Sequence, residues 1–227
     1  MTMIIKRFIN NIRDAHHLNS KYWQDWKKSL PMLPSQLREI AIAMVLSDAT
    51  MYKVSREAYI KFEQGYIQKE FVEHLFDLFK DYCFMLSPGV RVLKSGHRAG
   101  LAKSYWFKTF THVSFTEIWD LFYSNKSKSI KPGLILNNIN VLGLAYWIMG
   151  DGSLGKDGSL ILHTQSFTKL ENEMLSKELN DKFNLNSKVT QHKELYYVIH
   201  IPRSDGLRLR EWIAPHILPI FRYKISS

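Results

Sequence analysis

Only one cysteine, Cys83, stands among the 227 residues, which excludes an intrachain disulfide and a cysteine-based zinc site. Long apolar runs are missing too, and no stretch approaches the roughly 20 residues of a membrane-spanning helix. The opening segment, MTMIIKRFINNIRDAHHLNS, has an apolar patch too short and interrupted for a signal peptide. Asp14 and several asparagines make it only weakly like a transit peptide. Acidic residues are scarce in a patterned way. None lies between Asp81 and Glu117, where Arg91, Lys94, Arg98, Lys103 and Lys108 fall, and none between Asp120 and Asp151, where Lys126, Lys128 and Lys131 fall.

What is present is a chain that is 45% hydrophobic and 13% aromatic, enough for one large domain or two small ones. Its formal net charge of +10 comes in separate patches over both halves. That raises the odds of a nucleic-acid or anionic-membrane partner. A chain with so little thiol chemistry fits an intracellular or intra-organellar home.

Helical periodicity predicts a helix over Ser35–Asp48, with Ser35 as N-cap. A second is predicted at NINVLGLAYWIMGDG, with Asn138 or Asn140 capping and Gly152 stopping it. Amphipathic helices are predicted over Ile67–Tyr82 and Thr168–Phe183, and further helical stretches at SFTEIWDLFY and DGLRLREWIAPHILPIF, the latter interrupted at Pro215 and Pro219. KYWQDWKK (Lys21–Lys28) reads as a helix packed on the body. Strand-like runs cover Ala58–Gln64 and Ser159–Ser166, and hairpins are predicted over Gly89–His112 and Ser187–Pro202.

Laid side by side, these elements repeat. Each half runs from a helix ending in Asp, through a strand ending in a Gln motif, an amphipathic helix and a basic hairpin, to a Trp-containing helix. Each series closes on a lysine, Lys128 or Lys224. The expected organisation is an N-terminal extension (1–33), a first repeat (34–131) and a second (132–227). The fold class is α+β: two pseudo-symmetric αββαββα units.

One aspartate at a helix end is ordinary, although the unpaired carbonyls there make it slightly unfavourable. Two at equivalent places are not. If the helices pack about a pseudo-twofold axis, Asp48 and Asp151 meet and repel, and a divalent cation with hard oxygen ligands removes the conflict. Two such metals can hold the attacking and leaving oxygens of a phosphodiester in line. Small residues where the backbones meet, Ala41, Ala43 and Ser47 facing Gly143, Ala145 and Gly150, suit close packing.

At these residues the chain resembles the LAGLIDADG homing endonucleases, in the single-chain two-repeat form of yeast mitochondrial group I introns. Leu144, Ala145, Ile148, Gly150, Asp151 and Gly152 match the motif, and AIAMVLSDA (Ala41–Ala49) is a looser copy that keeps Asp48. The flanking TQSFT and PIFRYKI extend the likeness over roughly Asn19 to Ile225. Met149 replaces the motif's first acid, and Tyr146 replaces a small interface residue.

The resemblance implies curved antiparallel sheets, one per unit, that bind DNA in the major groove, with the units joined at a two-helix interface. It implies Mg²⁺ as cofactor, two or more ions shared between Asp48 and Asp151 and helped by the carbonyls of Ser47 and Gly150. Lys128 and Lys224 match basic residues that stabilise the phosphorane charge or position the water. No side chain is an obvious general base, so metal-polarised water is the expected nucleophile. The implied activity is a site-specific double-strand break at a long asymmetric target, leaving short 3′ overhangs, by a Mg-dependent DNA endonuclease. A monomer, encoded in a mitochondrion or other organelle, goes with it. The alternative of the same fold is an RNA-binding maturase that assists group I intron splicing. A third reading is a DNA-binding but catalytically silent module, against which the retention of both acids counts.

Pattern alone does not choose which hairpin face meets DNA. The candidates for groove or phosphate contact are Arg91, Lys94, Arg98, Lys103 and Lys108 in the first unit. In the second they are Lys188, Gln191, Lys193 and Arg203. Gln64 and Gln165 are further candidates near the centre, with buried hydrogen bonding as the competing explanation.

Overall fold

The computed structural model describes residues 20–124, 127–192 and 196–226. An N-terminal helix α1 (Lys21–Ser29) leads to α2 (Ser35–Leu46), β1 (Thr50–Val54), β2 (Glu57–Gly65), α3 (Lys69–Phe79), β3 (Gly89–Val92), β4 (Ala102–Lys108) and α4 (Val113–Phe122). A small ribbon, β5 (Tyr123–Ser124) with β6 (Ser127–Lys128), and a short helix α5 (Leu134–Asn138) follow. Then come α6 (Val141–Asp151), β7 (Gly152–Leu154), β8 (Leu160–Leu162), α7 (Lys169–Phe183), β9 (Lys188–His192), β10 (Tyr196–Ile201) and α8 (Arg203–Ile213). The αββαββα order therefore occurs twice. The two four-stranded sheets share one antiparallel topology, β1-β2-β4-β3 and β7-β8-β10-β9.

Packing divides the chain differently from repeat order. One compact unit holds the described residues up to Leu33 with Thr50–Thr116, and the other holds Pro34–Ala49 with Glu117 onward. The first motif helix, α2, thus belongs to the same unit as the whole second repeat.

In the first unit, period-two alternation in β2 buries Ala58, Ile60, Phe62 and Gln64, while Tyr59, Lys61 and Glu63 lie on the other face. The buried face takes α3, whose Phe71, Val72, Leu75, Phe76 and Phe79 form one apolar stripe. Phe62 stacks on Phe107 at 4.6 Å and meets Phe79 at 5.1 Å between ring centroids. Such pairs each contribute about 1 kcal/mol beyond area burial. Helix α1 is fixed to this unit by Trp23, buried beside Phe84 and Phe110.

In the second unit, α2 and α6 are apolar nearly all round and correspondingly buried, from Ile40 to Leu46 and from Gly143 to Met149. Leu160, Leu162, Ile199 and Ile201 of the sheet are buried, as are Leu175, Leu179 and Phe183 of α7. A capping box of Thr168 and Glu171 starts α7.

Several local expectations are corrected. Pro34, not Ser35, holds the cap position of α2, with no side-chain cap. Asn140 occupies the cap position of α6, but its side chain makes no cap bond either. Instead Glu39 of α2 accepts from the backbone N–H of Asn140 at 2.7 Å and of Gly143 at 2.6 Å. A carboxylate at a helix N-terminus satisfies orphan donors and complements the helix dipole, so one motif helix caps the other. The strand predicted over Ser159–Ser166 is only Leu160–Leu162. The turn of the second hairpin, Lys193 included, lies outside the described residues.

Candidate active site at two helix ends

Two glycines on α6 set how closely α2 and α6 approach. A Cβ on Gly143 would lie 2.8 Å from Glu39 Cγ. One on Gly150 would lie 2.6 Å from Ser47 Oγ and 3.3 Å from Asp48 Oδ2. The two are seven residues apart, two helical turns, so they share one stripe along the contact. The Gly150 backbone thereby comes against Asp48, and the carboxylates of Asp48 and Asp151 face one charge environment.

The two ends are built differently. Asp151 is the last residue of α6 and half-buried, while Asp48 lies exposed in the turn after Leu46. Burial, and then the charge of Asp48, push the Asp151 carboxyl up to about 7 against the opposing pull of Lys128 and Lys224. The lysines hold the helix-end carbonyls. Lys128 Nζ donates to Val45 O at 2.6 Å. Lys224 Nζ donates to Met149 O at 2.7 Å, Gly150 O at 3.0 Å and Ile148 O at 3.4 Å. Val45 and Ile148 each stand three residues before their aspartate, so the lysines are equivalent in position. Lys224 is buried and spans three carbonyls where Lys128 takes one. Burial lowers the pKa of both ammonium groups, and the two aspartates resist that shift.

The donors here suit a hard divalent cation: two carboxylates, with the Ser47 carbonyl next to Asp48 and the Gly150 carbonyl, which also accepts from Lys224, next to Asp151. A half-buried acid whose ionised form is disfavoured first by burial and then by a second acid is the conflict that such a cation relieves. Among the described residues no cluster of three or more His, Cys, Asp or Glu forms an all-protein metal cage. An ion held by these few ligands would keep coordination positions open.

The uncovered sheet faces follow from strand register. In the first sheet Lys61 pairs with Lys108, Glu63 with Trp106, and Arg91 with Ser104, all on the face away from α3. Lys108 Nζ stands 5.7 Å from the Tyr59 ring centroid. Lys103 is the extra residue of a β-bulge between the Arg91–Ser104 and Val92–Ala102 pairs. Lys94 and Arg98 are exposed near the hairpin turn, Arg98 over Tyr66 at 5.4 Å. Gln64 is buried in the face that carries Ile60 and Phe62. In the second sheet Lys188 pairs with His200 on the uncovered face, and Gln191 pairs with Tyr197 in the alternate set that contains Ile199. Gln165 follows β8 with its Nε2 3.2 Å from His163 Nδ1, and Arg203 starts α8 against the β7–β8 turn at Gly158.

Residues 38–209 match the LAGLIDADG DNA endonuclease family. The chain belongs to that family. It is 33% identical to probable intron-encoded endonuclease 1 of Wickerhamomyces canadensis, over 98% of both chains. It is 50% identical over 131 residues to probable intron-encoded DNA endonuclease 3 of Mycosarcoma maydis, covering 56% of this chain and 96% of the relative. Its structure is similar to that of the homing endonuclease I-WcaI bound to its DNA recognition sequence, with a TM-score of 0.85 and 32% identity over 94% of this chain and 97% of that one.

Within this family member, several site features escaped sequence reasoning. Glu39 reads as one more helix charge until its partner helix is known. Glu63, Trp106 and Tyr59 became visible as one surface only through the register of β2 and β4. Ser153, whose Oγ lies 2.7 Å from His163 Nε2, stands two residues after Asp151, and no motif marks it.

Proposed function

We propose that this chain is a site-specific endonuclease of duplex DNA that acts in intron homing. It makes a double-strand break at a long asymmetric target, leaving short 3′ overhangs, with Mg²⁺ as its metal. It acts as a monomer in a mitochondrion or other organelle. One observation carries the reading: Gly150 lets the two aspartate-bearing helix ends meet, with a lysine behind each.

Asp48 and Asp151, with the Ser47 and Gly150 carbonyls, hold the metal. Bound there, the ion supplies Lewis-acid charge at the scissile phosphate and lowers the pKa of an attacking water. Lys128 and Lys224, fixed on helix carbonyls beside the carboxylates, oppose the negative charge that grows on the phosphoryl oxygens. The uncovered sheet faces, which carry Lys61, Arg91, Lys108 and Lys188, lie along the duplex. Fixed amines contact phosphates, and planar side chains read base edges.

Incubation with a randomised duplex library in Mg²⁺, followed by mapping of the double-strand ends, tests the reading. Cleavage at a small set of related sites, abolished by chelation and by Asp151→Asn, is the expected result. Absence of any cut, or cutting that survives Asp151→Asn, overturns it. Tight binding of structured intron RNA without DNA cutting would replace it with the maturase reading.

A further inference from the structure

An acid on a surface that meets phosphates weakens binding unless it does something else. Glu63 is such an acid. Its Oε1 accepts from Ser104 Oγ at 2.6 Å and forms an ion pair with Arg91 Nε at 3.0 Å, and its Oε2 pairs with Lys61. The Trp106 ring backs both cations, with Lys61 Nζ 5.8 Å and Arg91 Cζ 6.0 Å from its centroid. Burial would raise the Glu63 carboxyl, but Lys61, Ser104 and Arg91 outweigh it, so its pKa is lowered and it stays ionised. Arg91 meets Glu63 through Nε, and its side chain remains 54% exposed on the uncovered face of the sheet. An arginine held this way has little rotamer entropy left to lose on binding.

We infer that Glu63 is a specificity-determining positioning residue: it locks the Arg91 guanidinium against Trp106 so that the fork reads the O6/N7 edge of one guanine in the major groove. The inference rests on the endonuclease reading above. A phosphate contact by Arg91 would need no such lock, because phosphate oxygens accept from many directions. The carboxylate also sets the sign of the effect. Its loss removes a repulsive charge, so affinity for DNA in general does not fall while discrimination does.

The test begins by selecting duplexes that the wild-type chain retains from a randomised library in metal-free buffer. Failure to enrich any sequence overturns the endonuclease reading before Glu63 is in question. Given an enriched site, binding to all its single-base-pair variants is measured for wild type, Glu63→Ala, Arg91→Ala and the double variant. Expected are a roughly tenfold loss of preference at one G·C pair, the same pair for both single variants, and no further loss in the double variant. Affinity of Glu63→Ala for random-sequence DNA is expected unchanged or higher. Arg91→Lys, which keeps the charge and loses the fork, loses the same preference. An unchanged preference profile, a uniform loss at every position, or losses at different base pairs for the two residues overturns the inference.

Discussion

The two motif helices carry an aspartate at the same repeat position, yet they finish differently. Helix α6 runs through Asp151, keeps it half-buried, and has three terminal carbonyls covered by a buried lysine. Helix α2 stops at Leu46 and leaves Asp48 exposed in a turn, with Lys128 on a single carbonyl. An acid held in an apolar setting needs more compensation than one in water, and the side with more burial has the larger lysine contact. Equivalent sequence positions are thus held by unequal electrostatics.

The largest expected effect tests whether that inequality extends to catalysis. If the two carboxylates share their metals, Asp48→Asn and Asp151→Asn each lower cleavage of both DNA strands by about a thousandfold or more. Strand-resolved kinetics on a labelled duplex check this. A variant that still nicks one strand at the wild-type rate would make the ends independent sites.

The next effect separates the ends by stability, in metal-free buffer. The folded Asp151 pKa of about 7 lies above the ordinary 3.8, so the folded state binds the proton more tightly than the unfolded chain. That contribution is fully present below pH ~4 and is lost as pH rises through about 7. Asp151→Asn abolishes the loss. It is therefore expected to be more stable than wild type by up to about 4 kcal/mol at pH 8 and no more stable at pH 4, an upper estimate from about 1.4 kcal/mol per pKa unit. Denaturant midpoints at the two pH values measure it. Equal stabilities at pH 8 would mean that burial imposes no such penalty, and a marked loss there would make Asp151 a structural cap.

A smaller effect concerns the helix contact itself. Glu39→Ala leaves the N–H groups of Asn140 and Gly143 without their acceptor and is expected to cost about 2 kcal/mol. Gly150→Ala drives a methyl into Ser47 and costs about 1–3 kcal/mol. Both are read as shifts in unfolding midpoint.

How much of this was legible in the sequence follows from distance along the chain. Period-two and 3.6-residue patterns are local, so the order of elements in both repeats was readable. The pairing of Asp48 with Asp151 was readable because duplication supplies a symmetry argument over a hundred positions. What stayed hidden depends on register between distant segments. Lys61 and Lys108 looked like unrelated charges until strand pairing placed them side by side. Gln64 stood open between a DNA contact and buried hydrogen bonding, and alternation in β2 buries it with Phe62. Asn140 looked like a cap because cap preferences are local, whereas the acceptor came from Glu39, 101 residues away.

The smallest expected effect bears most directly on the two ends. Lys224→Met removes a donor from three carbonyls, and Lys128→Met from one. Methionine keeps most of the apolar stem, so the difference reports the ammonium group. Exposing carbonyls without a donor costs about 1–3 kcal/mol each when buried, but removing the lysine also ends the desolvation of its own charge. The net expectation is a loss of about 2 kcal/mol for Lys224→Met and about 1 kcal/mol for Lys128→Met, measured side by side in metal-free buffer at pH 7. Losses of equal size would mean that the extra carbonyl contacts of Lys224 only offset its deeper burial. A larger loss for Lys128→Met would reverse the comparison and place the tighter end of the site at Asp48.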